Sequence, residues 1–389
     1  MNRNFIEGGI DMRHFRLLFL FIIGALLVPH SIMAATFTVG TCASPSYPTI
    51  SAAVAAATAG SIVKVCPGTY PEQVVISTSL TLEGITSGNA SRAVITVPGS
   101  GFPMTVTSTI PDFAGKTVTP QVLVTVPGVN ISNITVDGTG ASVSTNVFAG
   151  IMYESGSSGI VKGVSTRNQI STGSYGAGIW AENGNPSAES VTIENSSVHD
   201  MGDYGIILGS SQNPPSLTVT ILKNDVASSF GGIGNNGANA IITSNLVTLV
   251  TGGSYGIVMD GYRSSTTGSI TSNTVSNANI AAIYDSAQTS ISIKSNLLWN
   301  SANVGIGINA VNATIELNTI TKASVGIEFS CSKGPNTVKS NTISDVTTGL
   351  DQVPLSVVSA NTYDNVDILR TSTCGFAPTT APPSPLLRN

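Results

Sequence analysis

Charge is scarce in this chain: only 10% of its 389 residues are Asp, Glu, Lys or Arg. The basic residues form no run or stripe, which excludes the electrostatic footprint of a nucleic-acid or anionic-membrane binder. Aromatic residues are few, at 6%, and His199 is the only histidine beyond residue 30. The sequence holds no zinc-type Cys/His spacing and no phosphate-binding Gly-rich loop opening a helix. After Val28 no apolar run approaches the length of a membrane span. Disorder is excluded as well, because 41% of the residues are hydrophobic and Ile, Val and Leu recur throughout.

What is present is a repeat. Asparagines fall at 195, 224, 245, 273, 296, 318, 341 and 361, each after a strand-like run such as Val191-Thr192-Ile193-Glu194. A second short apolar run follows each one, and a Gly-Ile type pair then opens a third. The apolar member of that pair stands at 151, 179, 206, 233, 257, 283, 306, 327 and 350. Steps of 20 to 29 residues signal a solenoid. No unit has ten residues of helical period, so its elements are strands and turns. Three short strands per coil predict an all-β, single-stranded parallel β-helix of roughly 10–11 coils. Alternation sends Ile206 and Leu208, Ile257 and Met259, and Ile327 and Phe329 into the lumen. The asparagine is expected to take the left-handed bend between strands and to bond its own kind one coil away. The glycine is expected to mark a bend or a close backbone approach.

The ends differ from the middle. Residues 1–35 read as a secretory leader: Arg13, His14 and Arg16, then the apolar run Leu17–Val28, then Met33-Ala34-Ala35 as a cleavage site. Residues 1–11 read as an upstream extension, with Met12 an alternative start. Three basic and two acidic residues precede position 36, which leaves 13 basic and 19 acidic residues and a net charge of −6. Residues 36–60 form a cap, with the Ala-rich run Pro48–Thr58 as a short helix that plugs the lumen. The β-helix extends to 374, and the Pro-rich tail 375–389 reads as disordered. Residues 101–119 read as a loop extending from the side. Four cysteines in an exported chain allow three pairings. Cys42–Cys66 and Cys331–Cys374 are favoured, since each closes a short stretch near one end; free thiols are the alternative.

The run TISAAVAAATAGSIVKVCPGTYPEQVVISTSLTLEGI resembles the opening of the pectate-lyase-like, right-handed parallel β-helix proteins. It is most similar to the entry of pectin methylesterases, with their G-x-Y-x-E at Gly68, Tyr70 and Glu72. With the repeat, the resemblance covers residues 36–365 and implies a right-handed β-helix. It does not imply one activity, because this superfamily includes lyases, glycosidases, esterases, tailspikes and adhesins. The Gln-Asp pair, Asp-Phe-x-Phe-Gly strand and Arg-Pro-Trp signature of the methylesterases are missing; Asp112-Phe113-Ala114-Gly115 is only superficially similar. The Asn-Thr-Asp, Asp-Asp, Gly-His-Gly and Arg-Ile-Lys pattern of polygalacturonases is missing too.

The phase of the repeat selects the outward residues of the Gly-Ile strand. One column reads Met152, Trp180, Ile207, Gly234, Val258, Tyr284, Gly307, Glu328. The next reads Glu154, Glu182, Gly209, Asn236, Asp260, Ser286, Asn309, Ser330. Coils are ~4.8 Å apart, so Glu154 and Glu182 become side-by-side carboxylates, the arrangement of a glycosidase pair. Trp180, Tyr262 and Tyr284 are candidate platforms for sugar rings. In Asp260-Gly261-Tyr262-Arg263, Asp260 would hold Ca²⁺ and Arg263 would act as base in a lyase. The plain alternative is a set of scattered polar residues on a solvated face. Two functions follow as expectations: a secreted or periplasmic monomer that binds, and in one version degrades, an extracellular polysaccharide or cell-surface glycan; or a non-catalytic adhesive solenoid. Neither involves nucleic acid or a membrane span.

Overall fold

The computed structural model describes residues 34–86, 92–143, 147–170, 175–228, 230–250, 253–261, 265–286, 290–309, 312–330, 336–354 and 358–371. The leader, the Pro-rich tail, Tyr262, Arg263, Cys331 and Cys374 lie outside the described residues. The fold is built within the unit Ala35–Asn389.

Each coil contributes one strand to a 13-stranded sheet, from Thr36–Val39 to Val358–Ser359. Its other two strands stack in a second sheet of 22 strands. One of these follows the asparagine, as in Asp225–Ser228 and Leu246–Leu249; the other is the Gly-Ile strand, as in Gly231–Asn236 and Tyr255–Asp260. Successive coils pair in parallel and in register. Among the described strands only Val106–Thr107 runs antiparallel to its partner, Thr117–Val124. The lumen is a continuous apolar core. Ile179, Ile206, Ile233, Ile257, Ile283, Ile306 and Ile327 stack in one register column and are fully buried. Each such side chain contributes about 1.5–3 kcal/mol relative to exposure. The expected inward residues Leu208, Met259 and Phe329 are buried as well.

The asparagines do something other than turn the chain. From Asn224 to Asn361 the left-handed residue is the one before each asparagine: Lys223, Ser244, Ser272, Ser295, Leu317, Ser340 and Ala360. Asn195 alone of the series takes the bend itself, and Ser196 then stands in the ladder position. The asparagines point inward. From Asn224 to Asn341 each Nδ2 donates to the next coil's Oδ1, at 2.9 Å for Asn245 to Asn273 and 3.0 Å for Asn318 to Asn341. That same Oδ1 also accepts from the preceding coil's asparagine backbone N–H. The amide thus satisfies main-chain groups that the sharp bend removes from the sheets. A serine could bend as well; only the amide donates and accepts in line.

The glycines of the Gly-Ile pairs answer to packing. A Cβ on Gly232 would lie 2.3 Å from Val247 Cγ1 and 2.4 Å from the Gly256 carbonyl oxygen. The backbone there passes too close to the Val of the next coil's strand Leu246–Leu249 for a side chain to fit.

The entry is closed as the sequence predicts. Helix Ile50–Ala56 buries Ile50, Ala53 and Val54 on the lumen, with Thr49 Oγ1 capping the Ala52 N–H at 3.1 Å. Glu72, the acid of the G-x-Y-x-E motif, accepts from the Ile50 and Ser51 N–H groups at 2.8 Å each. Its role here is to hold the plug. The Cys42–Cys66 disulfide is formed. Among the described residues no helix is long and apolar enough to cross a membrane.

Candidate functional site on the outer face of the Gly-Ile strands

The register confirms the two outward columns as neighbours. Met152 pairs with Trp180, Trp180 with Ile207, Ile207 with Gly234, Gly234 with Val258, and Val258 with Tyr284. Glu182 leads to Gly209, Asn236 and Asp260 in the same way. Outward does not mean exposed, however. Residues 106–116 cross this face as a strap, through the hairpin Val106–Thr107/Thr117–Val124 and the 3-10 turn Pro111–Phe113. Beneath it Leu123, Met152, Trp180 and Ile207 form a second apolar cluster with Ile110, Phe113 and Val118. Phe113 meets Trp180 edge-on, with ring centroids 5.0 Å apart, and Tyr175 at 5.4 Å.

This corrects two expectations. Trp180 is 0% exposed and its faces are taken by protein, so it is no stacking platform for a ligand. Glu182 is 2% exposed and works as the strap's anchor. It accepts from Trp180 Nε1 at 2.9 Å, Ser108 Oγ at 2.8 Å, and the Thr109 N–H and Oγ1 at 3.2 and 3.3 Å. Burial pushes its carboxyl above the usual range despite these four bonds. Glu154 is pushed up by burial and then by the neighbouring Glu182. The two carboxylates do sit on adjacent coils, but one of them is sealed from any substrate. The stretch 101–119 is therefore a cover folded onto the solenoid, not a loop directed away from it.

The strap ends where the next group begins. Asp112, at its tip, accepts a hydrogen bond from Asn236 Nδ2. Asn236 neighbours Asp260 on the next coil, and Ser286 Oγ donates to Asp260 Oδ1 at 2.9 Å. Asp112, Asn236, Asp260 and Ser286 thus form one polar row. Beside it the rings of Tyr255 and Tyr284 lie 5.5 Å apart, and Tyr204 packs on Phe230 at 5.6 Å. The Tyr204 hydroxyl is raised well above its ordinary range by burial, then by surrounding groups that include Asp203, Tyr255, Asp260 and Asp112. Tyr284 is raised by burial first, then by Tyr255, Asp260, Glu328 and Asp285. These phenols stay protonated. Further along, Glu328 and Asp351 are register neighbours, and Glu328 is pushed up by burial and then by Asp351.

Of the residues selected from sequence, the structure brings Asp260 and Tyr284 together and puts Trp180, Glu154 and Glu182 at or under the strap. Tyr262 and Arg263 fall outside the described residues. Asp260 as a Ca²⁺ ligand has Asn236 and Ser286 beside it, whereas Ca²⁺ takes about six to eight oxygens. Among the described residues no group of three or more His, Cys, Asp or Glu converges to hold a metal. His199 lies in the strand Ser197–Met201, with Nδ1 2.6 Å from Asp200 Oδ2, away from this row. Sequence reasoning missed Asp112, Tyr204 and Tyr255. Tyr204 and Tyr255 lie two residues before the inward Ile206 and Ile257, so strict alternation sends them into the lumen, yet both join the outer apolar cluster; Asp112 carries no periodic signal.

The sequence model of the family described as "right handed beta helix region" matches residues 178–343. No curated protein matches the chain. Among solved structures, the Dettilon tailspike protein is similar at 17% identity and a TM-score of 0.53, over 78% of this chain and 62% of that one. The chain therefore spans less than two thirds of the tailspike's length. DFA-IIIase from Arthrobacter chlorophenolicus A6, in complex with GF2, is similar at 15% identity and a TM-score of 0.52, over 84% of this chain and 97% of that one. Continuous parallel stacks, an apolar lumen and these likenesses agree: the chain is a right-handed parallel β-helix repeat protein with the pectate-lyase-like fold.

Proposed function

We propose that this is an exported protein that binds an extracellular polysaccharide along the outer face of the Gly-Ile strands, on the stretch beyond the strap. The observation that carries this reading is the row Asn236–Asp260–Ser286 flanked by the Tyr255–Tyr284 ring pair. Sugar rings present C–H faces that pack on aromatic rings. Their hydroxyls donate to carboxylates in charge-assisted bonds. The leader at 12–35 and the Cys42–Cys66 bridge support an oxidising, exported setting. The tailspike and the GF2-bound DFA-IIIase share the fold alone; the site, not the fold, carries the argument.

A second reading, cleavage of the bound glycan, is favoured by one observation. The strap brings Asp112 to the same row as Asp260, so two carboxyl groups border one site, as glycosidic hydrolysis requires. The non-catalytic adhesive reading keeps the groove and drops this chemistry. A glycan array probed with wild type, Asp260→Asn and Tyr284→Ala tests the binding. Each substitution should weaken the bound glycan about tenfold, or 1.4 kcal/mol. Two variants that bind like wild type would end the groove reading. Incubating the same proteins with soluble glycans and measuring released reducing ends separates cleavage from adhesion: release that Asp260→Asn abolishes supports cleavage.

A further inference from the structure

We infer that the strap makes this groove blind-ended, so that the site takes the end of a neutral glycan chain and not its interior. The inference rests on the glycan reading above and deepens it. A polysaccharide bound mid-chain must leave its site in both directions. On the N-terminal side there is no way out. Leu123, Met152, Trp180 and Ile207 fill the outer column and are 0–1% exposed. The strap lies on them at van der Waals distance: a Cβ on Gly209 would come within 2.3 Å of Ile110 Cγ2. Glu182 fixes it through the Ser108 and Thr109 bonds, and Asp112 fixes its tip to Asn236. A chain can thread neither beneath nor between.

On the other side the same columns continue uncovered by the strap. Along them Tyr255, Tyr284, Ser286 and Glu328 are part-exposed, whereas Asn236, Val258 and Asp260 are buried, and the ring of Tyr284 covers Gly307, with Cδ2 2.9 Å from where a Cβ would stand. From the Asn236 coil to the Asp351 coil is five steps of ~4.8 Å, or about 24 Å, room for a few sugar units. The charge of this track sets the class of glycan. Asp112, Asp260, Glu328 and Asp351 are acids, and none of the described residues of the two columns from Gly234 onward is Lys or Arg. A polyuronate would meet like charge along its length; a neutral chain would meet acceptors for its hydroxyls. At the closed end, the part-exposed Asp112, held by Asn236, offers a carboxylate to the terminal sugar.

Orientation-controlled arrays test this. Malto-, cello-, laminari- and xylo-oligosaccharides are immobilised through the reducing end in one set and through the non-reducing end in the other. Cyclic maltooligosaccharides and cyclic β-glucans, which have no ends, are added as soluble competitors, and alginate and pectate oligosaccharides form the anionic set. The expected result is binding to one orientation by a margin of about tenfold or more, no competition by the rings, and no preference for the anionic set. Asp112→Lys should lower the signal about tenfold while Trp180 fluorescence stays that of wild type, showing that the strap is still seated. Equal binding in both orientations, or rings that compete as well as linear chains, overturns the chain-end inference alone. Preference for the anionic set overturns the assignment to neutral glycans. Failure of wild type to bind any set overturns the glycan reading, and this inference with it.

Discussion

Asp137 shows how a single residue on the solenoid surface is tied down. Burial pushes its carboxyl up, but bonds from the Thr139 side chain, the Asn168 amide, the Thr139 N–H and Arg167 outweigh burial and hold it at about 2. The Thr139 contacts are 2.9 Å from N and 2.6 Å from Oγ1, with Asn168 Nδ2 at 2.9 Å and Arg167 Nε at 2.8 Å. A depressed carboxyl contributes stability that is present above its unfolded value and is lost as pH falls through the folded one. The window is therefore from just below pH 4 to about pH 2. The contribution at neutral pH is about 2 kcal/mol. Urea denaturation of wild type and Asp137→Asn should show wild type the more stable at pH 6 and the gap closed at pH 2. A gap that persists at pH 2 would mean that the asparagine acts through packing and not through the lost charge.

The strap is the element that decides the site. Its sequence, residues 106–116, has no alternation and no repeat partner, so nothing local reports where it lies. Its docking is made of long-range contacts, the furthest joining residues 124 apart. Glu182 holds it, and its raised carboxyl has the opposite sign to Asp137: the stability it contributes is fully present below the ordinary carboxylate range and declines as pH rises through its folded value. Removing the side chain in Glu182→Ala leaves Trp180 Nε1, Ser108 Oγ and the Thr109 N–H without their buried acceptor, at a cost of about 3 kcal/mol. The expected readout is a red shift of the Trp180 emission as the strap loosens. Trp299, the second of the two tryptophans, is already 41% exposed and its emission should not move. An unshifted spectrum would show that the apolar contacts of Ile110 and Phe113 hold the strap alone.

At the scale of the whole molecule, a solenoid is stabilised between nearest neighbours, so its ends matter most. The N-terminal end is plugged by Ile50–Ala56, which Glu72 holds by its first backbone N–H groups, and is tied by Cys42–Cys66 across a separation of 24 residues. A cross-link of that span contributes roughly 3 kcal/mol in the chain-entropy account. The double substitution Cys42→Ser with Cys66→Ser should lower the onset of thermal unfolding, and hydrogen exchange should place the earliest opening in the first coils. Opening that begins elsewhere would show the cap to be held by its apolar face and Glu72 alone.

The sequence by itself determined the parallel β-helix, the inward and outward phase from each Gly-Ile pair onward and the helical plug, and it favoured the Cys42–Cys66 pairing among three. Each rests on local signals: a strand period of two, a recurring Asn and Gly, a short Ala-rich run, two nearby cysteines. Stacking copies that signal coil after coil, which is why Ile206, Ile257 and Ile327 could be sent inward unseen. Only the tertiary structure decided which outward residues are free to meet a ligand. The same phase that directs Tyr284 outward points Trp180 the same way, yet one is part-exposed beyond the strap and the other lies under Phe113. The difference comes from one non-repeating segment, whose position depends on contacts with residues far along the chain that no local period encodes.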